Sequence, residues 1–168
     1  VSVWGVGTSL MTAYDHPALD GVYKLSALRD EKGEWQYKLK ISEQPIKVSN
    51  PGIHQVRRFF KDESNFMDVM YDTELGIPES PDVQVLDGKA THKKISDYDA
   101  FVDLLVPVFR TGSYIYPEES IHDIRKRAHQ ETALFVKSVG QEVYPVALEQ
   151  ELFFAKERLL NQLKNQAS

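Results

Sequence analysis

The sequence predicts an α+β fold, with antiparallel β hairpins first and two C-terminal amphipathic helices after them. Three observations predict it. Short runs of β-branched and aromatic residues recur between polar turns, as at residues 55–60 and 65–71. Apolar residues fall at helical spacing only late in the chain, at Ile121, Ile124, Ala128 and Phe135, and again at Leu148, Leu152, Ala155, Leu159 and Leu163. The order of strand, then hairpins, then helices segregates the two kinds of element.

At the start, Val1-Ser2-Val3-Trp4 reads as a buried strand that runs into the tight loop Gly5-Val6-Gly7-Thr8. Taken locally, that loop is either a structural turn or a ring of backbone N–H groups able to hold an anion. Residues 14–21 are rich in turn formers and irregular. Residues 22–28 and 34–41 predict a hairpin around the polar loop 29–33, with Trp35, Tyr37, Leu39 and Ile41 on one face and Gln36, Lys38 and Lys40 on the other.

Residues 42–52 hold two prolines and the run Asn50-Pro51-Gly52, which exclude helix and ladder alike, so a long ordered loop is expected there. A second hairpin follows, turning at residues 61–64. The acidic stretch 72–82, with Gly76, Pro78 and Pro81, predicts a surface connection and a sub-domain boundary. The expected division is therefore residues 1–20, 21–82 and 83–168. Short strands are predicted at residues 83–86 and 104–109, the latter held to a sheet edge or bulge by Pro107, and a turn at residues 110–113 makes a third hairpin with Tyr114-Ile115-Tyr116. Pro117-Glu118-Glu119 opens a helix that runs to about Val139, stopped by Gly140. The last helix is predicted from about Ala147 to Gln162.

Composition narrows the function classes. The chain has 168 residues, 42% hydrophobic and 27% charged, enough for one sizeable core in an ordinary globular domain. A net charge of −5 and a pI near 5.5 argue against nucleic-acid binding by bulk charge and leave room for a local basic pocket. The absence of cysteine excludes disulfides and thiolate metal sites and agrees with a cytoplasmic location. No signal peptide and no apolar run of membrane length occurs, so neither a membrane nor a nucleic acid is an expected partner. The chain has no initiator Met and opens in mid-strand, and so reads as the C-terminal piece of a longer protein.

Three lysines, Lys24, Lys40 and Lys47, fall near the glycine loop in sequence. A lysine is a point charge suited to phosphate, and it is equally at home as a solvated surface residue. The five histidines, His16, His54, His92, His122 and His129, lack metal-site spacing and read as structural or solvent-facing. No triad or carboxylate pair involves Asp15, Asp20 or Asp68. Arg57-Arg58-Lys61 and Arg125-Lys126-Arg127 read as solvated basic faces.

Taken in order, Trp4-Gly5-Val6-Gly7-Thr8-Ser9-Leu10, Gly21-Val22-Tyr23-Lys24-Leu25, Lys40-Ile41-Ser42-Glu43-Gln44-Pro45-Ile46-Lys47 and Asn50-Pro51-Gly52 resemble the C-terminal part of nicotinate phosphoribosyltransferases. Leu105-Val106-Pro107-Val108-Phe109-Arg110, Ile124-Arg125-Lys126-Arg127 and Tyr144-Pro145-Val146-Ala147-Leu148 extend the resemblance over essentially the whole chain. It implies a parent of the type II phosphoribosyltransferase fold, an irregular α/β barrel joined to a second domain. It also implies the joining of nicotinate to phosphoribosyl pyrophosphate in NAD salvage, assisted by ATP and Mg2+, in a cytoplasmic homodimer. By that resemblance Gly5, Gly7 and Thr8 hold the 5′-phosphate, while Lys24, Lys40 and Lys47 face the pyrophosphate or an ATP-derived phosphate. The family's phosphorylatable histidine and its nicotinate-binding arginine and aromatic are expected upstream of Val1, so no catalytic residue is expected in this chain and the piece alone is expected to be inactive. Some relatives hold zinc through cysteines in this region, which a cysteine-free chain cannot do. A competing expectation from another class is a non-catalytic binding or oligomerisation module that uses the terminal helices.

Overall fold

The computed structural model describes residue 3 and residues 21–44, 47–86, 91–137 and 144–166. The order is β1 (Ala27–Arg29), β2 (Trp35–Tyr37), β3 (His54–Lys61), β4 (Ser64–Asp72), β5 (Asp82–Val85), β6 (Thr91–Lys94), β7 (Ala100–Asp103), β8 (Phe109–Arg110), β9 (Ser113–Tyr114), α1 (Ile121–Lys137), β10 (Val146–Glu149) and α2 (Gln150–Gln166). This is the α+β class that the sequence predicts.

The hairpin β3–β4 is the centre of the fold. Its alternating apolar residues set the register, with Arg57 opposite Val69 and Phe59 opposite Met67. A register shift between Phe59 and Phe60 leaves Phe66 as an extra residue on β4, and Phe66 packs against the core cluster. The hairpin belongs to a six-stranded sheet ordered β6-β5-β10-β4-β3-β7, in which β10 runs parallel to β4 and every other pairing is antiparallel. The sheet thus takes strands from both sides of the stretch 72–82. Phe59, Met67, Val69, Val83, Ile95 and Ala147 form the core cluster. Phe59 also meets the Tyr98 ring edge-on, with centroids 4.8 Å apart.

Several sequence expectations change here. The stretch 72–82 is not simply a surface connection, because Asp72 and Pro81 are fully buried. Leu148 lies in a central strand rather than on the last helix. A Val-Ala-Leu-Glu tetrapeptide at residues 146–149 fills the gap between β4 and β5, and pairing on both sides outweighs helix propensity there. Glu149 then ends the strand, its carboxylate accepting the N–H groups of Glu151 (2.8 Å) and Leu152 (3.2 Å), which caps α2. Strands β6 and β7 go unpredicted because Thr91–Lys94 and Ala100–Asp103 carry no alternation; they form as edges of the sheet. The third hairpin is present but shorter, beginning at Phe109 rather than Leu104.

The apolar face of α1, which its helical spacing would place against a core, is largely exposed. Ile121 and Ile124 are 71% and 41% exposed and Ala128 is exposed; only near its end does the helix meet the sheet, where the Phe135 and Tyr144 rings stack edge-on. In the adjoining hairpin Phe109 and Tyr114 pair with each other and stay exposed.

Arg57 and Arg58 overturn the reading of a solvated basic face. Being consecutive on β3, they point to opposite sides of the sheet. Arg57 Nε and Nη2 donate to Asp103 at 2.8 and 2.9 Å, Tyr71 donates to the same carboxylate, and the Arg57 guanidinium lies 4.0 Å from the Phe101 ring centroid. Arg58 Nε and Nη2 donate to Asp68, each at 2.8 Å, and the Tyr144 hydroxyl joins at 2.9 Å. Their side chains are 14% and 12% exposed, too buried for free surface cations. Arg127, by contrast, is a surface residue as expected, paired with Glu119.

The Arg57 guanidinium holds the Asp103 carboxyl below its ordinary value. A depressed folded value means that the pair stabilises the fold above the unfolded value, about pH 4, and that this contribution disappears as pH falls through the folded value. Asp103→Asn is therefore expected to be less stable than the wild type at pH 7, with the gap in urea midpoint closing below about pH 4. A gap that stays constant down to pH 2 would rule out the linkage.

Candidate functional site

The described end of the Pro-rich loop, residues 47–52, is anchored by bonds that begin at Asp72. This carboxylate has no solvent exposure and accepts three backbone N–H groups: Ile53 at 2.7 Å, Glu74 at 2.8 Å and Leu75 at 3.1 Å. The Tyr37 hydroxyl also bonds to it, and burial together with that acceptor pushes the phenol well above its ordinary value. Gly52 sits against the same carboxylate with φ +101, a conformation natural to glycine; a Cβ there would overlap Asp72 Oδ2.

From that clasp the loop is tied residue by residue to the first hairpin. The Ser26 carbonyl accepts from both Lys38 N (2.8 Å) and Gly52 N (2.9 Å). Beyond Lys38 the returning strand exchanges its hairpin partner for the loop. Lys40 N donates to Ser49 Oγ (2.7 Å), and Ser49 N donates to the Lys40 carbonyl (3.2 Å). The predicted strands 22–28 and 34–41 are therefore cut to three residues each, because the loop takes the pairing positions beyond them.

The space enclosed by this exchange is a cleft of about 420 Å³ lined by Val22, Lys24, Lys40, Ser42, Lys47, Val48 and Ser49. All three lysines singled out from the sequence border it, although Lys24 and Lys40 lie outside the strands in which the sequence places them. Beside the apolar Val22 and Val48, its polar side chains are cationic and hydroxylic, with no carboxylate among the described lining residues. Such a surface suits a polyphosphate and offers no ligand set for a bare divalent cation. Ser42 and Ser49 are additional polar lining groups. The signal for them lay in the loop's composition, since serines flanking Pro-rich irregular backbone are placed to bond it.

Gly5, Gly7 and Thr8, with His16, lie outside the described residues. Of the other histidines, His54 donates to the Pro51 carbonyl at 2.8 Å, His92 contacts Gln150 at 3.0 Å, and His122 and His129 are exposed on α1. None of these four borders the cleft.

The clasp yields a direct expectation. Gly52→Ala should lower stability by more than about 2 kcal/mol, since it forces alanine into a left-handed conformation and into the carboxylate at once. A urea midpoint within error of the wild type would contradict the Asp72 clasp as described.

The nicotinate phosphoribosyltransferase C-terminal domain profile matches residues 53–156. The chain is 30% identical over 175 residues to the nicotinate phosphoribosyltransferase of Bacillus subtilis (strain 168), covering 98% of this chain and 35% of that protein. It is 28% identical over 158 residues to that of Mus musculus, covering 90% of this chain and 28% of that protein. The human protein of the same name is 36% identical over 81 residues, covering 48% of this chain and 14% of its own length. This chain thus spans about a third or less of the curated relatives it matches. The profile runs from the clasp at Ile53 through β3–β4 and β10 into α2, and on that match the chain belongs to the nicotinate phosphoribosyltransferase family, through its C-terminal domain.

Proposed function

We propose that this chain is the C-terminal part of an enzyme that joins nicotinate to phosphoribosyl pyrophosphate, giving nicotinate mononucleotide and pyrophosphate for NAD salvage. The observation that carries the site assignment is the gathering of Lys24, Lys40 and Lys47 around one cleft. In the reaction the C1′–oxygen bond to pyrophosphate breaks with its electron pair leaving on oxygen, and nicotinate nitrogen takes the vacated carbon. Lysine ammonium groups facing the departing pyrophosphate stabilise the charge that develops there. The same three cations suit an ATP-derived phosphate. Gly5, Gly7 and Thr8 are proposed to hold the 5′-phosphate through backbone N–H groups and a hydroxyl, an approach that a side chain at either glycine would block. Mg2+ is expected by resemblance alone; the described lining residues, which carry no carboxylate, do not fit it, and no step is assigned to it. The fragment alone is proposed to be inactive, with catalysis and nicotinate recognition supplied by the rest of a cytoplasmic enzyme.

Calorimetry of phosphoribosyl pyrophosphate binding to the full-length enzyme, with magnesium, tests this. Lys24→Ala, Lys40→Ala and Lys47→Ala are each expected to weaken binding about tenfold, the loss of one charge-assisted contact. Gly7→Glu is expected to abolish it. Unchanged affinity in all three lysine variants would remove the cleft from the site, and tight binding by Gly7→Glu would reduce the glycine loop to a turn.

A second reading, an oligomerisation module, is favoured by the exposed apolar residues of α1 and the β8–β9 hairpin. A homodimer built on that face accommodates both readings. Ile121→Lys is expected to shift sedimentation toward monomer if the face is buried between copies, and to leave it unchanged if the face is free.

A further inference from the structure

We infer that Lys156 on α2 is a positioning residue for the lysine cleft, acting through Asn50 on the loop that carries Lys47 and Ser49. The inference rests on the reading of that cleft as an anion site. Lys156 Nζ donates to Asn50 Oδ1 at 2.8 Å, across 106 positions of sequence. The other end of the same amide contacts Met70 Sδ at 3.3 Å. Asn50 is thus fixed between α2 and β4. Its neighbour Ser49 is the residue that exchanges two hydrogen bonds with the Lys40 backbone. A shift at Asn50 therefore moves both sides of the cleft, the Lys47–Ser49 side directly and the Lys40 side through Ser49.

Fold stability does not account for a lysine at this position. The ammonium is half-buried, its hydrogen-bond partner is a neutral amide, and the Glu157 carboxylate acts on it only as a weaker charge. Burial lowers its pKa, which means that retaining the charge there costs stability. An apolar side chain of equal length would serve packing as well or better. What the lysine adds is a donor that reaches Asn50 and holds the loop at one setting. Asp72 fixes the loop at Gly52 and Ile53, and Lys156 fixes it two residues earlier, next to the cleft.

The test is calorimetry of magnesium pyrophosphate binding to the full-length enzyme, with unfolding midpoints measured alongside. Lys156→Met is expected to keep or raise the midpoint while weakening binding about tenfold. Asn50→Ala is expected to weaken binding similarly, and the double variant no more than the worse single one, since both remove one contact. Lys156→Gln, which keeps a donor, is expected to recover most of the affinity and serves if the methionine variant folds poorly. Wild-type binding by Lys156→Met, alongside weakened binding by Lys24→Ala and Lys47→Ala, overturns the inference and leaves the cleft intact. Losses that multiply in the double variant overturn it as well, because the lysine would then act by another route. If Lys24→Ala and Lys47→Ala also bind normally, the cleft reading itself fails and this inference falls with it.

Discussion

A buried carboxylate must be fully bonded or be neutral, and Asp72 meets that demand with partners from three parts of the chain. Ile53 comes from the end of the Pro-rich loop, Glu74 and Leu75 from the turn after β4, and Tyr37 from the first hairpin. Removing such a charge from water costs several kcal/mol per ion before compensation, so each donor is required rather than optional. The result is that the small hairpin β1–β2, which at three residues per strand could not hold itself, is docked against the large sheet. Gly52 is the backbone's part of the same constraint, since only a residue without a Cβ fits beside the carboxylate.

The sheet is braced on both sides by a second use of charge. Arg57 and Arg58 take one face each, and each closes a two-pronged bond to an aspartate that a tyrosine also touches. On one side this ties β3 to β7. On the other it ties β3 to β4 and, through Tyr144, to the chain segment entering β10, while Glu131 of α1 lies 3.4 Å from Arg58. Buried ion pairs are uncertain sources of net stability, but their fork geometry is directional and fixes register and docking angle. The parallel strand β10 enters beside β4 under that guidance and places α2, and hence Lys156, within reach of the loop.

The cleft is therefore a product of long-range ties rather than of a local motif. Its three lysines stand outside the long elements, Lys24 and Lys40 on irregular backbone and Lys47 on a short 3-10 turn, on chain held by Ser26, Ser49 and the Asp72 clasp. Charged groups on a loop tied down from several directions combine reach with fixed geometry, which is what the proposed capture of a polyphosphate requires. The exposed apolar hairpin β8–β9 and the first turns of α1 do not line this cleft.

The sequence by itself determined the class, the central hairpin and the residues worth attention. Runs of β-branched and aromatic residues at 55–60 and 65–71 around a polar turn predicted a hairpin, and the prolines at 45 and 51 predicted a loop between strands. The three lysines were legible as phosphate-suited charges, and the ordered motifs pointed to the family that the domain profile then showed. Tertiary structure decided what local pattern could not. Residues 147–149 read as helix in isolation and became strand because two ladders were open to them. The arginines read as surface charge and became internal braces because their partners lie across the sheet at Asp68 and Asp103. Asp72 read as part of an acidic surface loop, Asn50 as a turn former in an irregular loop and Lys156 as an ordinary helix residue, because their roles are defined by partners 19 and 106 positions away. Periodicity and turn chemistry report on neighbours along the chain; the burial of a charge, and the loop geometry that its bonding imposes, depend on neighbours in space.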